Sequence, residues 1–599
     1  MKTKMLYSQI VAAYERISQT TSRIEIIAAL VQLLKETDAS IIDKVVYLTQ
    51  GKLYPDYFGI EIGVAEKLAI RSISLVSGKP ESRVMPEYKT RGDLGSTAEE
   101  ILAKKNQAGL GAEPLTVEDV YNNFDRIARS TGSGSVETKI RLLSGLLTKA
   151  TATEAKYITR MAVGRLRLGV ADMTILHALA QALGGGKSAR TILEQAYNRC
   201  SDLGLVAKSL AAGGIREIGS FKITIGRPVR PMLSERLSDP VQILEKMGGK
   251  AAAEYKYDGL RIQAHLSKKK VALFSRRLEN VTDQFPDVQE LVRQGVEKNE
   301  AVIEGEVVAI DTITGELLPF QLLSQRRGRK HRLEESVQEI PIALFPFDIL
   351  YSDGTDYTLK PYPERRKALA NLIQSGPRFK LSVQTIVEDP KRLDEFMQEA
   401  VSDGSEGVMV KSISNDSTYK AGARGWTWIK YKREYKSEMQ DTADLVIVGA
   451  FAGRGRRGGL HGAVLLAAYN DREDLFETVC KCGSGFTDED LGKLPKLLEK
   501  YATPKRHARV SSKLAADAWF VPGLVIEVIG AEITLSPVHT CGLNSIRPGY
   551  GLAIRFPRFT GRYRTEKSPE DATTTREIVE MYQAQLKKIG QGTSSEGET

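Results

Sequence analysis

The chain has 599 residues, 42% of them hydrophobic and 27% charged, and its formal net charge at pH 7 is +10. This length exceeds what one hydrophobic core serves, so several domains are expected. No apolar run approaches the roughly 18 residues of a membrane span, and the N-terminus has no signal-peptide pattern. Four irregularly spaced cysteines do not suit a disulfide framework. These features exclude a membrane protein and a disulfide-rich secreted module, and they predict a cytoplasmic protein.

The first part of the chain has the pattern of a helical domain. Apolar residues recur at helical spacing, as at Leu6, Ile10, Tyr14 and Ile17. Runs rich in Gly and Ser separate the periodic stretches from one another. We therefore predict an all-α domain over residues 1–221.

The pattern changes after residue 221. Short runs rich in β-branched and aromatic residues alternate with charged, helix-prone stretches, which predicts a mixed α+β domain over residues 222–435. Strand-like runs joined by glycine turns follow, so residues 436–587 are predicted to form a small β-barrel of the OB-fold type. The polar residues 588–599 are predicted to be a disordered tail. The sequence therefore predicts a multidomain protein with three folded domains.

A possible covalent site lies in the run AEYKYDGLRIQAH, which contains K-x-D-G-x-R with Lys256, Asp258, Gly259 and Arg261. A lysine bonds to a nucleotide phosphate if its amine is uncharged, the α-phosphate is close and cations offset the developing charge. Gly259 permits a tight turn without a Cβ atom, and Arg261 can supply a fixed cationic fork. Taken alone, so short a motif also suits an ordinary exposed strand and turn.

Six further runs follow in one order and suit nucleotidyl transfer: LFSRRLENVTDQFPDV, VIEGEVVAI, FPFDILY, SEGVMVK, RGWTWIKYK and IRFPRF. The carboxylates of Glu306 and Glu406 can hold Mg²⁺ or a ribose hydroxyl, and Phe347 can stack on a purine. The basic side chains that can offset phosphate charge are Arg276, Arg424, Lys430, Lys432, Arg555 and Arg558. Each run alone resembles an ordinary strand, but coincidence does not explain all six in this order.

With its motifs in this order, the chain resembles the ATP-dependent DNA ligases, specifically their archaeal and eukaryotic replicative class. The resemblance covers nearly the whole length of the chain. KYDGLR is similar to the nucleotidyl-lysine motif of that family, and the later runs are similar to its later motifs. The N-terminal runs GSGSVETKI, GRLRLGVAD and RPVRPML resemble its helical DNA-binding domain and the linker into the catalytic core. The resemblance implies three domains that close around nicked duplex DNA.

The resemblance also implies a set of site residues and cofactors. It implies ATP and Mg²⁺ as cofactors, with Mn²⁺ as a possible substitute, and it makes Lys256 the residue that carries AMP before AMP passes to the 5′-phosphate of a nick. Glu254 stands where the family reads the adenine amino group. The implied ATP-contacting residues are Glu254, Lys256, Arg261, Arg276, Glu306, Phe347, Arg424, Lys430 and Lys432. Glu306 and Glu406 are the implied metal ligands, and Arg555 and Arg558 are implied to act in the first step.

Nicked double-stranded DNA is the expected partner, since 85 Lys and Arg residues against 75 acidic residues favour a polyanion. In the helical domain, Gly132, Gly134 and Ser135 can bring backbone amides close to phosphate. The residues expected to add positive charge there are Lys139, Arg165 and Arg167. The basic run at 326–332 suits a solvated or a DNA-facing surface equally. We expect a monomer that binds DNA without reading its sequence.

A sliding clamp is a further expected partner, because members of this class are often tethered to one. Gln107 and Leu110 form the first half of a clamp-binding Q-x-x-L pattern. The aromatic pair that usually fills the pocket of the clamp is missing. An ordinary surface loop is therefore an equally good interpretation of this segment.

Three other classes remain as alternatives. An RNA ligase or a GTP-dependent capping enzyme shares K-x-D-G and the OB domain, but it is not expected to carry the helical N-terminal region or RFPRF. An NAD-dependent ligase would bring a zinc-binding cysteine cluster. A non-catalytic DNA-binding protein would have no reason to retain Lys256 together with both carboxylates. The nucleotide that becomes covalently attached distinguishes these classes.

Overall fold

The computed structural model describes residues 4–103, 113–186, 188–310, 317–318, 320–324, 326, 337, 339–432, 441–453, 460–530, 532–536, 538–555 and 557–591. The chain forms two compact units, one of Met1–Val84 with Leu94–Lys432 and the other of Met85–Asp93 with Arg433–Thr599. Over these described ranges, no helix is long and apolar enough to cross a membrane.

The N-terminal region is helical, as its apolar periodicity predicts. Its helices are α1 Tyr7–Ser18, α2 Arg23–Glu36, α3 Ile42–Gln50, α4 Glu66–Ser77, α5 Glu81–Arg91, α6 Leu94–Ala103, α7 Val117–Arg129, α8 Ser135–Lys149, α9 Ala152–Ala162, α10 Asp172–Ala182, α11 Ala189–Cys200 and α12 Leu203–Gly219. Capping boxes begin two of them, at Thr116 for α7 and at Thr151 for α9, where the side chains satisfy free backbone N–H groups. The helices bury one apolar face each, so the region forms its own core.

The α+β part of the first unit contains two five-stranded sheets. Its strands are β1 Leu233–Arg236, β2 Ala251–Lys256, β3 Leu260–Ser267, β4 Lys270–Ser275, β5 Glu300–Ala309, β6 Ile342–Ser352, β7 Thr355–Asp356, β8 Gln384–Val387, β9 Gly407–Ser412 and β10 Arg424–Lys432. The helices are α13 Pro240–Lys246, α14 Pro286–Gly295, α15 Phe320–Ser324, α16 Tyr362–Leu372 and α17 Pro390–Ser402. The strand orders are β1-β10-β9-β2-β8 and β4-β3-β5-β6-β7. Since β2 belongs to one sheet and β3 to the other, the residues between them lie where the sheets meet.

Residues 226–230 connect the helical region to these sheets by hydrogen bonds on both sides. On the helical side, the backbone N–H of Arg230 donates to the Asn198 carbonyl at 2.8 Å, and its guanidinium donates to the Tyr197 hydroxyl at 2.6 Å. On the sheet side, Gln263 accepts from the Val229 N–H at 2.8 Å and donates to the Val229 carbonyl at 3.0 Å. The linker is thus held in place by main-chain groups of Val229 and Arg230 together with the side chains of Arg230 and Gln263.

The C-terminal region is rich in strands, as predicted. Its strands are β11 Ala443–Ala452, β12 His461–Asn470, β13 Leu475–Cys482, β14 Ala502–Thr503, β15 Val510–Ser511, β16 Ala518–Phe520, β17 Val525–Ile529, β18 Glu532–Ser536, β19 Gly551–Arg555 and β20 Arg558–Tyr563, and its helices are α18 Asp488–Glu499 and α19 Thr575–Gln591. The order β14-β16-β11-β12-β13-β15 is extended by β17, which pairs with both β11 and β20, while β18 pairs with β19. Helix α19 continues to Gln591, so the first residues of the predicted disordered tail are helical.

Arg326 has a different setting from the one expected from the sequence, whereas the cysteines agree with their expectation. Arg326 opens the basic run predicted to be a solvated or DNA-facing surface, yet it is 1% exposed and pairs with Asp287 at 2.7 Å. That residue is therefore structural, and residues 327–332 lie outside the described part of the chain. All four cysteines are free and buried, and Cys480 and Cys482 lie on β13 within the core of the second unit.

Candidate active site

A cleft with a volume of about 420 Å³ surrounds Lys256, with side chains from both sheets of the α+β part. The residues that line it include Glu254, Lys256, Asp258, Arg261, Arg276, Glu306, Phe347, Glu406, Lys411, Trp428, Lys430 and Lys432. This set contains every residue predicted to contact the nucleotide except Arg424. Arg424 is exposed at the start of β10 and is not among the lining residues.

Lys256, the last residue of β2, is held by Glu406. Its Nζ atom donates to Glu406 Oε2 at 2.5 Å, and Lys432 Nζ lies 2.6 Å from the same oxygen. The backbone N–H of Glu406 also donates to the Lys256 carbonyl at 2.8 Å. Burial opposes ionisation of Glu406, but Lys256 and Lys432 together lower its pKa to about 2. One ionised carboxylate thus fixes two ammonium groups at the cleft.

Gly259 is required by a close backbone approach. A Cβ atom at this position would lie 2.3 Å from the Val307 carbonyl oxygen and 2.9 Å from Glu306 Cγ. The sequence predicts a glycine for a tight turn, and the structure adds the reason that β5 passes directly against it. This approach brings Glu306 beside the nucleotidyl-lysine motif, where Glu306 on β5 lies opposite Arg261 on β3 in the strand register.

Three carboxylates lie close together near Lys256. Burial raises the pKa of Glu306 to about 7. Burial, together with a hydrogen bond to Glu406, raises the pKa of Asp258 to about 6. Within the described ranges, no group of three or more His, Cys, Asp or Glu side chains is arranged to hold a metal ion unaided. Mg²⁺ usually binds through one or two carboxylates together with substrate phosphates and water.

Arg261 lies close to Phe347, the residue predicted to stack on the base, and its guanidinium is bonded mainly to other parts of the protein. Its guanidinium donates to Glu304 at 2.8 Å and to the Met232 carbonyl at 2.9 Å. It lies 5.4 Å from the centre of the Phe347 ring. Of its nitrogens, Nε is buried and has no hydrogen-bond partner among the described residues. Arg261 is therefore fixed as the sequence predicts, but most of its fork is already bonded to protein partners.

Three basic side chains at the cleft lie on β10 and in the turn after β4. Lys430 and Lys432 project from β10, and Arg276 follows β4 and is exposed. Burial and the neighbouring ammonium groups of Lys432 and Lys256 lower the pKa of Lys430. This concentration of positive charge suits a polyphosphate.

Lys411 and Trp428 line the cleft but were not predicted. Glu304 and Tyr419, which contact the lining residue Arg261, were not predicted either. Glu304 accepts from the Tyr419 hydroxyl at 2.8 Å, and Lys411 donates to Glu254 at 2.8 Å. Glu304 and Lys411 lie inside the runs VIEGEVVAI and SEGVMVK, so attention to every charged residue of those runs would have found them. Nothing in the local sequence indicates Tyr419.

The predicted residues of the second unit are placed only in part. Arg555 ends β19, and its side chain lies outside the described part of the chain. Arg558 begins β20, where it pairs with Ile529, and it is exposed. Their predicted role in the first step stays a prediction.

The predicted DNA-contacting residues lie around the start of α8. Gly132 and Gly134 have left-handed φ angles of 81° and 76°, and Gly134 precedes Ser135, the first residue of α8. The placement of the basic residues is as follows: Lys139 donates to the Gly63 carbonyl at 3.1 Å, Arg165 pairs with Glu66 at 3.0 Å, and Arg167 has a φ of 58°. The clamp candidates Gln107 and Leu110 lie outside the described residues.

A lysine at the junction of two sheets, in a cleft with clustered cations and carboxylates, defines the covalent nucleotidyltransferase class. Family models match three parts of the chain: "DNA ligase N terminus" over residues 6–180, "ATP dependent DNA ligase domain" over 231–432 and "ATP dependent DNA ligase C terminal region" over 457–567. The chain belongs to the ATP-dependent DNA ligase family. The enzyme class predicted from the sequence is thereby confirmed, and the RNA ligase or capping-enzyme alternative is not favoured.

Individual relatives agree with this assignment. The chain is 53% identical over 589 residues to "DNA ligase 2" of Thermofilum pendens, covering 97% of this chain and 98% of that protein. It is 50% identical over 599 residues to "DNA ligase" of Staphylothermus marinus, covering 98% of this chain and 100% of that protein. The solved structure "Pmar-Lig_PreS3" matches with a TM-score of 0.53 at 18% identity, covering 93% of this chain and 99% of that one. At that identity the match supports the fold alone.

Proposed function

We propose that the enzyme seals nicks with a 3′-hydroxyl and a 5′-phosphate in duplex DNA, with Lys256 as the residue that carries AMP. The observation that carries this proposal is the position of the Lys256 ammonium. It is fixed by Glu406 at 2.5 Å in a cleft that also contains the cations a triphosphate requires.

In the first transfer, Lys256 Nζ attacks the α-phosphorus of ATP. A nitrogen–phosphorus bond forms, the bond to the leaving pyrophosphate breaks, and the amine gives up its protons to solvent or to a neighbouring carboxylate. Lys430, Lys432 and Arg276 offset the negative charge of the phosphates. The contribution of the protein is mainly positioning, because each displacement at phosphorus needs attacking and leaving groups in line.

In the second and third transfers, the same AMP moves to DNA and is released. An oxygen of the 5′-phosphate takes AMP from Lys256, which forms a phosphoanhydride and frees the lysine. The 3′-hydroxyl then attacks the 5′-phosphorus, and AMP leaves. ATP is thus consumed to AMP and pyrophosphate while one phosphodiester bond is formed.

We propose Glu306 and Glu406 as ligands of a Mg²⁺ ion, with Mn²⁺ as a possible substitute. Their support is the crowding of carboxylates at the cleft. Burial raises the pKa of Glu306 to about 7, with a smaller contribution from Glu406 and Asp258, and a cation among these groups would offset their negative charge. Mg²⁺ usually binds one or two carboxylates together with substrate phosphates. A bound ion would supply charge neutralisation on the phosphate oxygens.

We propose that the strand-rich C-terminal region is an OB-type barrel over residues 436–587, following domains at 1–221 and 222–435. The neighbours β13, β12, β11, β17 and β20 form one continuous series. A parallel bridge between Ser484 and Arg558 links the two ends of the series, with a 2.9 Å bond from the Phe559 N–H to the Ser484 carbonyl. Closure of this kind supports a barrel, since it removes free strand edges.

The helical region is proposed to bind the duplex through its backbone, at Gly132, Gly134 and Ser135, without reading base sequence. The left-handed glycines support this, because nothing lies within 4 Å of the side-chain position of Gly132 or Gly134, which leaves the backbone ahead of α8 open to a phosphate. We further propose a monomer that acts in the cytoplasm. A sliding clamp is a further proposed partner, which a pull-down comparing the chain with a Gln107→Ala/Leu110→Ala variant would test.

The experiment that tests the proposed function compares α-labelled ATP, GTP and NAD in separate incubations with the full chain. ATP is expected to give a covalently labelled protein that passes its label to nicked DNA and then seals the nick. Labelling by GTP alone would indicate a capping-type enzyme. No labelling by any nucleotide would contradict the covalent route.

A further inference from the structure

The carboxylate of Glu254 is only 1% exposed and accepts hydrogen bonds from four side chains. Lys411 Nζ at 2.8 Å and Ser382 Oγ at 3.0 Å donate to Oε2. Gln384 Nε2 at 3.1 Å and the Tyr362 hydroxyl donate to Oε1. A carboxylate has about four acceptor positions, so donors occupy both oxygens and prevent the group from rotating.

These four donors fall into two groups. Lys411 lines the cleft together with Glu254, whereas Tyr362, Ser382 and Gln384 are not among the lining residues. Gln384 is the strand partner of Glu254 across β2 and β8, and Tyr362 begins α16. Tyr362, Ser382 and Gln384 therefore contact Glu254 from its protein side, the side that faces away from the cleft.

The protein-side donors are themselves fixed in place. Gln384 Nε2 also donates to the Tyr362 hydroxyl at 2.5 Å. Ser382 Oγ accepts from Arg366 at 2.9 Å, and the Ser382 carbonyl accepts from the same guanidinium at 2.6 Å. Glu254 is thus held by a connected network rather than by isolated contacts, which is the arrangement that fixes a functional side chain most precisely.

A fixed carboxylate is a selective receptor for a nucleobase. Adenine carries an amino group at position 6, which donates a hydrogen bond, whereas guanine carries an oxygen there, which a carboxylate repels. A carboxylate that can rotate or withdraw loses this discrimination. Lys411 retains the Phe347 carbonyl at 3.2 Å as a second partner, so the cleft-side position at Glu254 can pass from Lys411 to the base.

We propose that Tyr362, Ser382 and Gln384 are positioning residues that make the enzyme selective for adenine nucleotides by fixing Glu254. This inference rests on the proposed function and on the contact between Glu254 and the adenine amino group that the family resemblance implies. It adds three residues that do not touch the nucleotide but determine which base is accepted.

The test uses ATP and purine riboside triphosphate, which differs from ATP only in lacking the 6-amino group. The wild-type chain is expected to form enzyme–nucleotide adduct from ATP at least about tenfold more efficiently, the lower range for one hydrogen bond to a charged group. In a Tyr362→Phe/Gln384→Leu variant this preference should fall to about threefold or less, through a higher KM for ATP. The values for purine riboside triphosphate should not change.

A purely structural role of these residues predicts a different result. Loss of folded protein lowers the rates with both nucleotides equally and leaves their ratio unchanged, which would overturn the inference. Gln384→Leu alone provides a milder variant, because Gln384 is partly exposed on an edge strand. Tyr351→Phe is the matched control, since it removes a tyrosine hydroxyl that donates to Glu300 at 3.2 Å outside the cleft. The control should keep the wild-type ratio.

A Glu254→Gln variant separates failure of this inference from failure of its premise. If Glu254→Gln lowers the preference for ATP and Tyr362→Phe/Gln384→Leu does not, the positioning role is wrong while the role of Glu254 stands. If neither variant changes the preference, or if the wild type has none, Glu254 does not read the amino group and both proposals fail. Adduct formation from GTP should increase in the double variant if the inference is correct.

Discussion

Lys256 and Glu406 contact each other twice, through their side chains at 2.5 Å and through a backbone hydrogen bond from Glu406 to Lys256 at 2.8 Å. The backbone bond sets the two residues side by side between β2 and β9. The side-chain bond then places the ammonium at the cleft, where Lys432 shares the same carboxylate oxygen. The position of the amine therefore depends on one acidic residue.

Glu406→Gln is expected to lower the rate of enzyme–AMP formation by about a hundredfold or more, in the range found for loss of one preorganised electrostatic group. The reason is that a neutral amide holds the Lys256 and Lys432 side chains less firmly than the carboxylate does, so the amine is no longer held in position for attack. Single-turnover labelling with α-labelled ATP measures the effect. Glu388→Gln is the control, because it neutralises a surface partner of Lys250 with both side chains more than half exposed. Equal rates for the two variants would contradict the role of Glu406.

Alanine variants of Arg555 and Arg558 are expected to fail in self-adenylation yet to seal a nick that is supplied already adenylated. The family resemblance assigns these residues to the first transfer, and Arg558 is exposed at the start of β20. Labelling assays and sealing of pre-adenylated nicks measure the two stages separately. Equal losses in both assays would show that the arginines do not act mainly in the first transfer.

Removal of residues 1–221 is expected to leave self-adenylation largely intact and to weaken nick binding. The linker loses Asn198 and Tyr197 as partners of Arg230, but its bonds to Gln263 remain within the α+β part. Binding by the full chain should fall steeply with salt, because phosphate contacts release counterions. Fluorescence anisotropy with nicked duplex at matched salt measures the difference. A truncated core that binds as tightly as the full chain would contradict the DNA-binding role.

The stability of the first unit is expected to fall on acidification through His265. This ring accepts from the Gly226 N–H at 3.1 Å, and burial lowers its pKa to about 3 from an ordinary value near 6.5. Below about pH 6.5 the unfolded chain therefore binds a proton that His265 does not bind in the folded chain. This difference lowers the free energy of unfolding by up to about 1.4 kcal/mol per pH unit.

A His265→Gln variant isolates this contribution. Its melting temperature should depend less on pH than that of the wild type between about pH 6.5 and pH 4, while the gap between the two proteins stays constant at higher pH. Thermal unfolding followed by circular dichroism at several pH values measures the gap. A gap that does not change on acidification would show that His265 is not held neutral.

The sequence predicts the parts of this structure that depend on local pattern. Periodic apolar residues predict the helices, and the order of motifs predicts Lys256, Glu306, Phe347 and Glu406, all of which lie at one cleft. The resemblance and the composition also agree with the multidomain architecture. These features can be predicted from the sequence because each depends on neighbouring residues or on spacing along the chain.

The rest of the fold and of the site depends on packing between segments that are far apart in the sequence. Glu254 is fixed by Tyr362 and Gln384, which lie more than a hundred residues away in the chain, and no local pattern marks them. Arg326 looks like part of a basic surface run, yet burial against Asp287 makes it structural. Which charge is buried and which is free depends on tertiary contacts, which a single sequence does not display.

The most direct measurement is the identification of the modified residue after the full chain has reacted with ATP and Mg²⁺ in the absence of DNA. Peptide mass mapping is predicted to find AMP on Lys256 and on no other residue, and the AMP should be lost when nicked duplex is added. Lys256→Arg keeps the charge without offering a neutral amine, so it should carry no AMP while still binding nicked DNA. AMP attached to another residue, or adduct formation by Lys256→Arg, would contradict the account.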